Sequence, residues 1–151
     1  MSWITNLKIL ILDDYESIRT MLKTHVKQLG HQGVCLEAAD VTTAKEIVTK
    51  EKDQIDFILS DWNLPDGTGL DFLKYVRGDL GLSNLPFLMI TTENETTKII
   101  DAVSAGASNY LIKPWTLEDL KDKLENSWQK HHPESDNTAE KKITPRRRRK
   151  L

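Results

Sequence analysis

Asp13 and Asp14, Asp61, Thr91 and Lys113 stand at or just past the ends of four short apolar runs, LKILIL, FILS, PFLMI and YLI. In an open α/β sheet the carboxyl ends of parallel strands meet along one edge, and ligands bind there. Residues about a hundred positions apart can therefore share one site holding three carboxylates, a hydroxyl and an ammonium. Carboxylates so gathered repel one another. At about 4 Å and an effective dielectric of ~20, each pair costs roughly 4 kcal/mol. Mg²⁺, with its preference for oxygen ligands, offsets that cost, and a lysine ammonium helps when no metal is bound. The set suits Mg²⁺-dependent transfer of a phosphoryl group onto an aspartate. Each member also has an ordinary reading. Asp13-Asp14 fits a helix cap, Asp61 a turn residue ahead of Pro65, Lys113 a solvated surface lysine, and Thr91 a cap for the helix after Asn94.

Such a site needs strands to bring its members together, and the pattern supplies them. Leu7–Leu12 is a nearly unbroken apolar run, as expected of a strand buried on both faces. Further strands are predicted at Val34–Ala38, Phe57–Ser60, Leu85–Ile90 and Asn109–Ile112. Helical spacing appears over Tyr15–Leu29, Val41–Lys50 after an Asp40 cap, about 69–77, Asn94–Ala105 and Thr116–Gln129. Leu117, Leu120, Leu124 and Trp128 form the predicted inner stripe of the last helix. Gly30 and Gly106 are predicted helix stops, and Pro65, Asp66, Gly67 and Gly69 mark a turn-rich loop. Lys113-Pro114 is a rigid step that admits a cis bond. Five β/α units predict a parallel sheet covered by helices on both faces.

The chain of 151 residues is long enough for one domain with a real core. No apolar run approaches the roughly 20 residues of a membrane span, and no basic segment with a long apolar stretch opens the chain. A single cysteine, Cys35, excludes an internal disulfide framework and reads as a small core residue. The expected location is the cytoplasm. The formal net charge of −2 hides an asymmetry. Residues 133–151 hold seven Lys/Arg against three Asp/Glu, leaving −6 over residues 1–132. The acidic domain, 1–132, attracts cations and not nucleic acid. The tail, 133–151, is polar, without apolar periodicity, and is predicted to be disordered.

The stretches Leu10–Asp14 (LILDD), Ser60–Pro65 (SDWNLP), Leu88–Thr91 (LMIT), Gly106–Tyr110 (GASNY) and Lys113-Pro114 resemble the receiver domain of two-component response regulators. The likeness is strongest to the single-domain regulators of chemotaxis. It covers about residues 5–130. It implies a flavodoxin-like (βα)5 fold of five parallel strands in the order 2-1-3-4-5. It also implies that Asp61 accepts the phosphoryl group. Asp13, Asp14, Asp61 and the backbone carbonyl of Asn63 would hold Mg²⁺, with Mn²⁺ a substitute. Lys113 and Thr91 would contact the phosphoryl group, and Thr91 and Tyr110 would form the switch. A sensor histidine kinase would be the donor and a phosphatase a further partner. The output surface would be the fourth helix, fifth strand and fifth helix. Asn63 and Glu93, two positions beyond Asp61 and Thr91, flank the route of the attacking water and are expected to tune dephosphorylation. Such a protein is a switch, not an enzyme, catalysing only its own phosphorylation and dephosphorylation.

Three departures from that pattern matter. Thr92 stands where alanine is usual, and Trp115 where phenylalanine is usual. The fourth helix opens with Glu93-Asn94-Glu95, where relatives that bind the flagellar switch tend to be basic. A non-chemotaxis phosphorelay is therefore an alternative setting. A second class of function, a phosphatase of the haloacid dehalogenase type, would want an aspartate two residues past the acceptor. Positions 63 and 15 are instead Asn and Tyr. A nucleotide-binding module would need a Gly-rich phosphate loop, which the sequence lacks. The block Pro145–Lys150 could tether the tail to an acidic partner, but the tail is too short for a folded DNA-reading domain.

Overall fold

The structure is a computed structural model that describes residues 1–133. The expectation for the tail lies outside the described residues, apart from Pro133.

The chain alternates strand and helix: β1 (Ile9–Leu12), α1 (Glu16–Gln28), β2 (Cys35–Ala38), α2 (Val41–Lys50), β3 (Phe57–Ser60), α3 (Gly69–Lys74), β4 (Phe87–Thr91), α4 (Thr96–Ser104), β5 (Asn109–Ile112) and α5 (Leu117–His131). The strands form one parallel sheet in the order β2-β1-β3-β4-β5. This is the order that the resemblance implied. Alternate residues along β1 feed opposite faces. Leu10 and Leu12 pack with Val48, Phe72, Phe87 and Ala102 on the side of α2, α3 and α4. Ile9 and Ile11 pack with Leu22, Val26, Leu120 and Leu124 on the side of α1 and α5. Both faces of the sheet are thus covered, which explains strands that read as unbroken apolar runs.

Local chemistry sets the helix ends. Asp40 caps α2 by accepting from the Thr43 amide at 2.7 Å, as expected. Thr68 and Asp71 form a capping box on α3, and Thr116 and Asp119 another on α5. Gly30 and Gly106 end α1 and α4 at φ of 113° and 109°, a left-handed backbone that side chains resist.

The structure differs from the sequence expectations at several places. Cys35 is half-buried and packs against the core from its margin. The fourth strand starts at Phe87 and not Leu85. The loop after Asp61 contains a small antiparallel hairpin, Asn63–Leu64 with Gly67–Thr68. Asp66 pins it to the start of α2 by accepting from the Val41 and Thr42 amides and the Thr42 hydroxyl. The fourth helix starts two residues later than expected, at Thr96 with Glu95 as its N-cap, and Thr91 does not cap it. Leu117, the first residue of α5, is exposed; Leu120, Leu124 and Trp128 are buried as predicted. A short 3-10 turn, Ser2–Ile4, closes the opposite pole, where Trp3 stacks on Trp128 with ring centroids 4.8 Å apart.

After α3 the chain widens into a π turn over Tyr75–Asp79. Arg77 points back from it as a half-buried strut. Its Nε donates to the Gly106 carbonyl at 3.0 Å, and its Nη1 to the carbonyls of Leu82 and Leu85, both at 2.6 Å. No carboxylate pairs with it among the described residues, and burial pulls its pKa down to about 10. One guanidinium thus holds together the loop before β4 and the turn before β5. Replacing it with an apolar side chain would orphan three carbonyls, each a hydrogen bond to a charged donor. Arg77→Met is expected to destabilise the protein by roughly 3 kcal/mol, read as a lower urea midpoint at unchanged m-value.

Candidate functional site

Strand pairing assembles the site. Leu12 lies beside Ser60 in the register of β1 with β3, so Asp13 and Asp61, each one residue further on, emerge side by side. Ile112 lies beside Thr91, and the Lys113 amide donates to the Thr91 carbonyl at 2.9 Å, which brings Lys113 to the same edge. The Lys113-Pro114 bond is cis.

The Lys113 ammonium joins the two carboxylates. Its Nζ donates to Asp13 Oδ2 at 2.8 Å and to Asp61 Oδ2 at 3.1 Å. Asp13 and Asp61 are buried, with 2% and 7% of their surface exposed, whereas Asp14 is exposed. Each of the three carboxylates offers an oxygen, and these oxygens lie within 4.8 Å of one another. The other oxygen of Asp61 accepts from the Trp62 amide at 2.6 Å, and that of Asp13 from the Tyr15 amide at 2.9 Å. Asp13 therefore supports the turn into α1 as well as facing the site, but it is not the helix cap: the N-cap is Tyr15, and no side chain caps α1.

Burial pushes the Asp13 carboxyl above its ordinary pKa, against the bonds from Lys113 and Tyr15; the charge of Asp61 pushes the same way. Burial pulls Lys113 down. The bond to Asp13 and the charges of Asp61 and Asp13 outweigh that, so its pKa ends above the usual value. The lysine stays an ammonium, held by two acids in a partly dry setting where each attraction is several-fold stronger than in water.

A second group of residues lies along the rim. Asn63 Nδ2 donates to Glu93 Oε2 at 2.6 Å. The Tyr110 hydroxyl donates to the Glu93 carbonyl at 2.7 Å, and the Glu93 amide donates to Thr91 Oγ1 at 3.3 Å. Thr91 is fully buried, and its hydroxyl is engaged by Glu93. The bond from Asn63, and then the nearby Lys98, hold Glu93 below the usual carboxylate range. Burial, aided by the charges of Glu93 and Asp61, pushes the Tyr110 phenol up to about 12, so it remains a hydrogen-bond donor. The Tyr110 ring already lies inward, only 7% exposed.

Two contributors escaped the sequence reading. Gly69 passes so close beneath Asp61 that an added Cβ would strike the Asp61 carbonyl, and its amide donates to the Trp62 carbonyl at 2.7 Å. Its place in a turn-rich loop was visible; the close approach was not. Lys98 on α4 lies 5.2 Å from the centre of the Trp62 ring and 3.6 Å from Glu93 Oε1. Beside the site, Ile18, Met21, Thr92, Pro114 and Trp115 line, with Lys113, an open apolar groove of about 260 Å³. Trp115 fits there because its indole N–H donates to His25 Nδ1 at 3.1 Å.

The family model for the response regulator receiver domain matches residues 9–125. The chain belongs to this family. Chemotaxis protein CheY-3 of Vibrio cholerae is 40% identical over 125 residues, covering 83% of this chain and 94% of that protein. Chemotaxis protein CheY of Pseudomonas aeruginosa is 40% identical over 124 residues, 82% of this chain and 98% of its own length. Among solved structures, a receiver domain protein of Clostridium thermocellum superposes with a TM-score of 0.74 at 26% identity, covering 84% of this chain and 98% of that one. Vibrio cholerae CheY4 superposes with a TM-score of 0.72 at 33% identity, covering 82% and 99%. A receiver domain is a signalling module and not an enzyme, and this one carries the acidic cluster of such modules at Asp13, Asp14 and Asp61.

The shared ammonium generates a prediction. In Lys113→Met, Asp13 and Asp61 lose their common counter-charge, and the buried acid must hold its proton more tightly. The Asp13 carboxyl is expected to titrate at least about one unit higher than in the wild type, read by carbon NMR in metal-free buffer.

Proposed function

We propose that this receiver accepts a phosphoryl group on Asp61 from the phosphohistidine of a sensor kinase, and signals by changing its binding surface in a chemotaxis-type pathway. The observation that carries this reading is the Lys113 ammonium shared between Asp13 and Asp61, with Asp14 close enough to share a cation.

The donor set is all hard oxygen, and one of its three carboxylates is exposed, which suits a Mg²⁺ ion that keeps some of its waters. Asp13, Asp14, Asp61 and the Asn63 carbonyl would hold it, Asp14 directly and Asp13 partly through water; Mn²⁺ would substitute. When bound, the metal supplies positive charge to the phosphoryl oxygens. The remaining work falls to the chain itself. The Asp61 oxygen forms a bond to phosphorus while the phosphorus–nitrogen bond of the donor breaks, leaving its electron pair on the imidazole. Such a transfer needs positioning and charge balance more than covalent help. The Trp62 amide and Lys113 fix both oxygens of the acceptor before reaction. Lys113 is placed to follow the new negative charge, and the Thr91 hydroxyl to leave Glu93 for a phosphoryl oxygen.

The inward Tyr110 supports a switch in which the ring fills the space that Thr91 vacates. Its bond to the Glu93 carbonyl gives that position a partner in the unmodified protein. The readout surface in this reading is α4, β5 and α5. There Ile100 and Val103 of α4 are exposed, at 56% and 53%, beside Asp101. The relatives named for chemotaxis support a chemotaxis setting, and the location would be the cytoplasm. The acidic start of α4 leaves a non-chemotaxis phosphorelay as the alternative setting. The expected partners are the kinase, a downstream protein and a phosphatase. The basic end of the tail remains available for an acidic partner.

Incubation with acetyl phosphate and Mg²⁺ is expected to leave one acid-stable, hydroxylamine-labile phosphate per chain. The label should vanish in Asp61→Ala and on chelation of the metal. Continuous phosphate release from simple monoesters would instead indicate a hydrolase. Asn63→Ala and Glu93→Ala are each expected to change the first-order loss of that label by severalfold, measured by following the residual acyl phosphate. Unchanged decay in both would remove these residues from the dephosphorylation step.

A further inference from the structure

We propose that Lys98 is a positioning residue for dephosphorylation, a strut that holds Glu93 against Asn63 and so lengthens the life of the phosphoryl group on Asp61. The inference rests on the reading of Asp61 as acceptor and names a determinant of its reset rate.

Lys98 is the third residue of α4. A cation in the first turn of a helix sits at the positive end of the helix dipole, where it is disfavoured. No acid occupies that first turn. The lysine is compensated from outside the helix instead. Its ammonium lies 3.6 Å from Glu93 Oε1 and 5.2 Å from the centre of the Trp62 ring, within the range of a cation–π contact. Trp62 is buried and its amide holds an Asp61 oxygen, so the strut rests on the ring of the residue that follows the acceptor. The other oxygen of Glu93 takes the Asn63 amide at 2.6 Å. Asp61, Trp62, Lys98, Glu93 and Asn63 thus close a ring at one side of the site. It links the loop after β3 to the first turn of α4.

Reset of an acyl phosphate needs a water oxygen to form a new bond to phosphorus. The bond from phosphorus to the Asp61 oxygen breaks, its electron pair stays on the carboxylate, and the water's proton leaves on the phosphate or to solvent. With one N–H committed to Glu93, the Asn63 amide is held across the rim and is not free to turn toward that water. A Glu93 carboxylate fixed across the rim narrows the approach and repels a hydroxide-like nucleophile. Without the ammonium, Glu93 keeps only the Asn63 bond beside a phosphoryl group of its own sign, and the clamp opens.

The test uses the full chain, labelled with acetyl phosphate in Mg²⁺. Lys98→Met is expected to shorten the half-life of the label roughly two- to fivefold, the rate equivalent of one exposed ion pair. Lys98→Arg keeps both the charge and the ring contact and should restore at least half of the loss, which a merely structural role would not produce. In a Glu93→Ala background, Lys98→Met should have no further effect. An unchanged or lengthened half-life in Lys98→Met, or an equal effect with and without Glu93, overturns the proposal. The unphosphorylated protein provides a separate reading. The ε-methylene protons of Lys98 should resonate upfield through the Trp62 ring current, and random-coil shifts there also overturn the strut. Failure of the wild-type chain to take up label would overturn the reading of Asp61 instead, leaving the ring-current result to decide the contact.

Discussion

The Lys113 ammonium between Asp13 and Asp61 is the contact on which the rest of the site depends. Two buried acids at neighbouring strand ends would drive the edge of the sheet apart or take up a proton. A cation that reaches both offsets their repulsion and lets them lie close. It has to come from a strand far along the chain, and the parallel sheet delivers it: β1, β3 and β5 end at the same edge although their residues are up to a hundred positions apart. Fold and site are therefore one problem. The apolar faces that bury β1 and β3 supply the free energy that holds like charges together.

The rim follows a different logic. Its polar groups satisfy one another in sequence: Thr91 by the Glu93 amide, the Glu93 carbonyl by Tyr110, the Glu93 carboxylate by Asn63 and Lys98. Glu93 is the shared member of every one of these contacts. A change at Asp61 that draws Thr91 away therefore removes one support of Glu93, while Tyr110 and Asn63 still hold it. In such a network, response at the output side depends on how rigidly one glutamate is kept.

Much of this was legible in the sequence because parallel strands write their ends plainly. Apolar runs followed by Asp13, Asp61, Thr91 and Lys113 mark the site edge, and the Asp40 cap marks a helix start that the structure reproduces; the last helix begins one residue after its expected start, with Thr116 as its cap. The strand order came from the resemblance and not from periodicity, which carries no information about which strands are neighbours. The unread features share a cause. The Gly69 contact, the Arg77 strut and the Lys98 contacts depend on distances between segments that no local pattern encodes. Leu117 fits the apolar spacing of α5 but stands exposed at its first position, since spacing tells the face and not how far along the helix that face is covered. The hairpin after Asp61 is too short for alternation to reveal, and Asp66 stabilises it through α2, not through its own neighbours.

Gly69 leaves no clearance between the first residue of α3 and the carbonyl of Asp61. That helix accordingly serves as an anvil: the main chain of Asp61 has no room to shift toward it. A Cβ at this position would push the two segments apart, so one missing methyl group fixes how deeply the end of β3 seats against the helix.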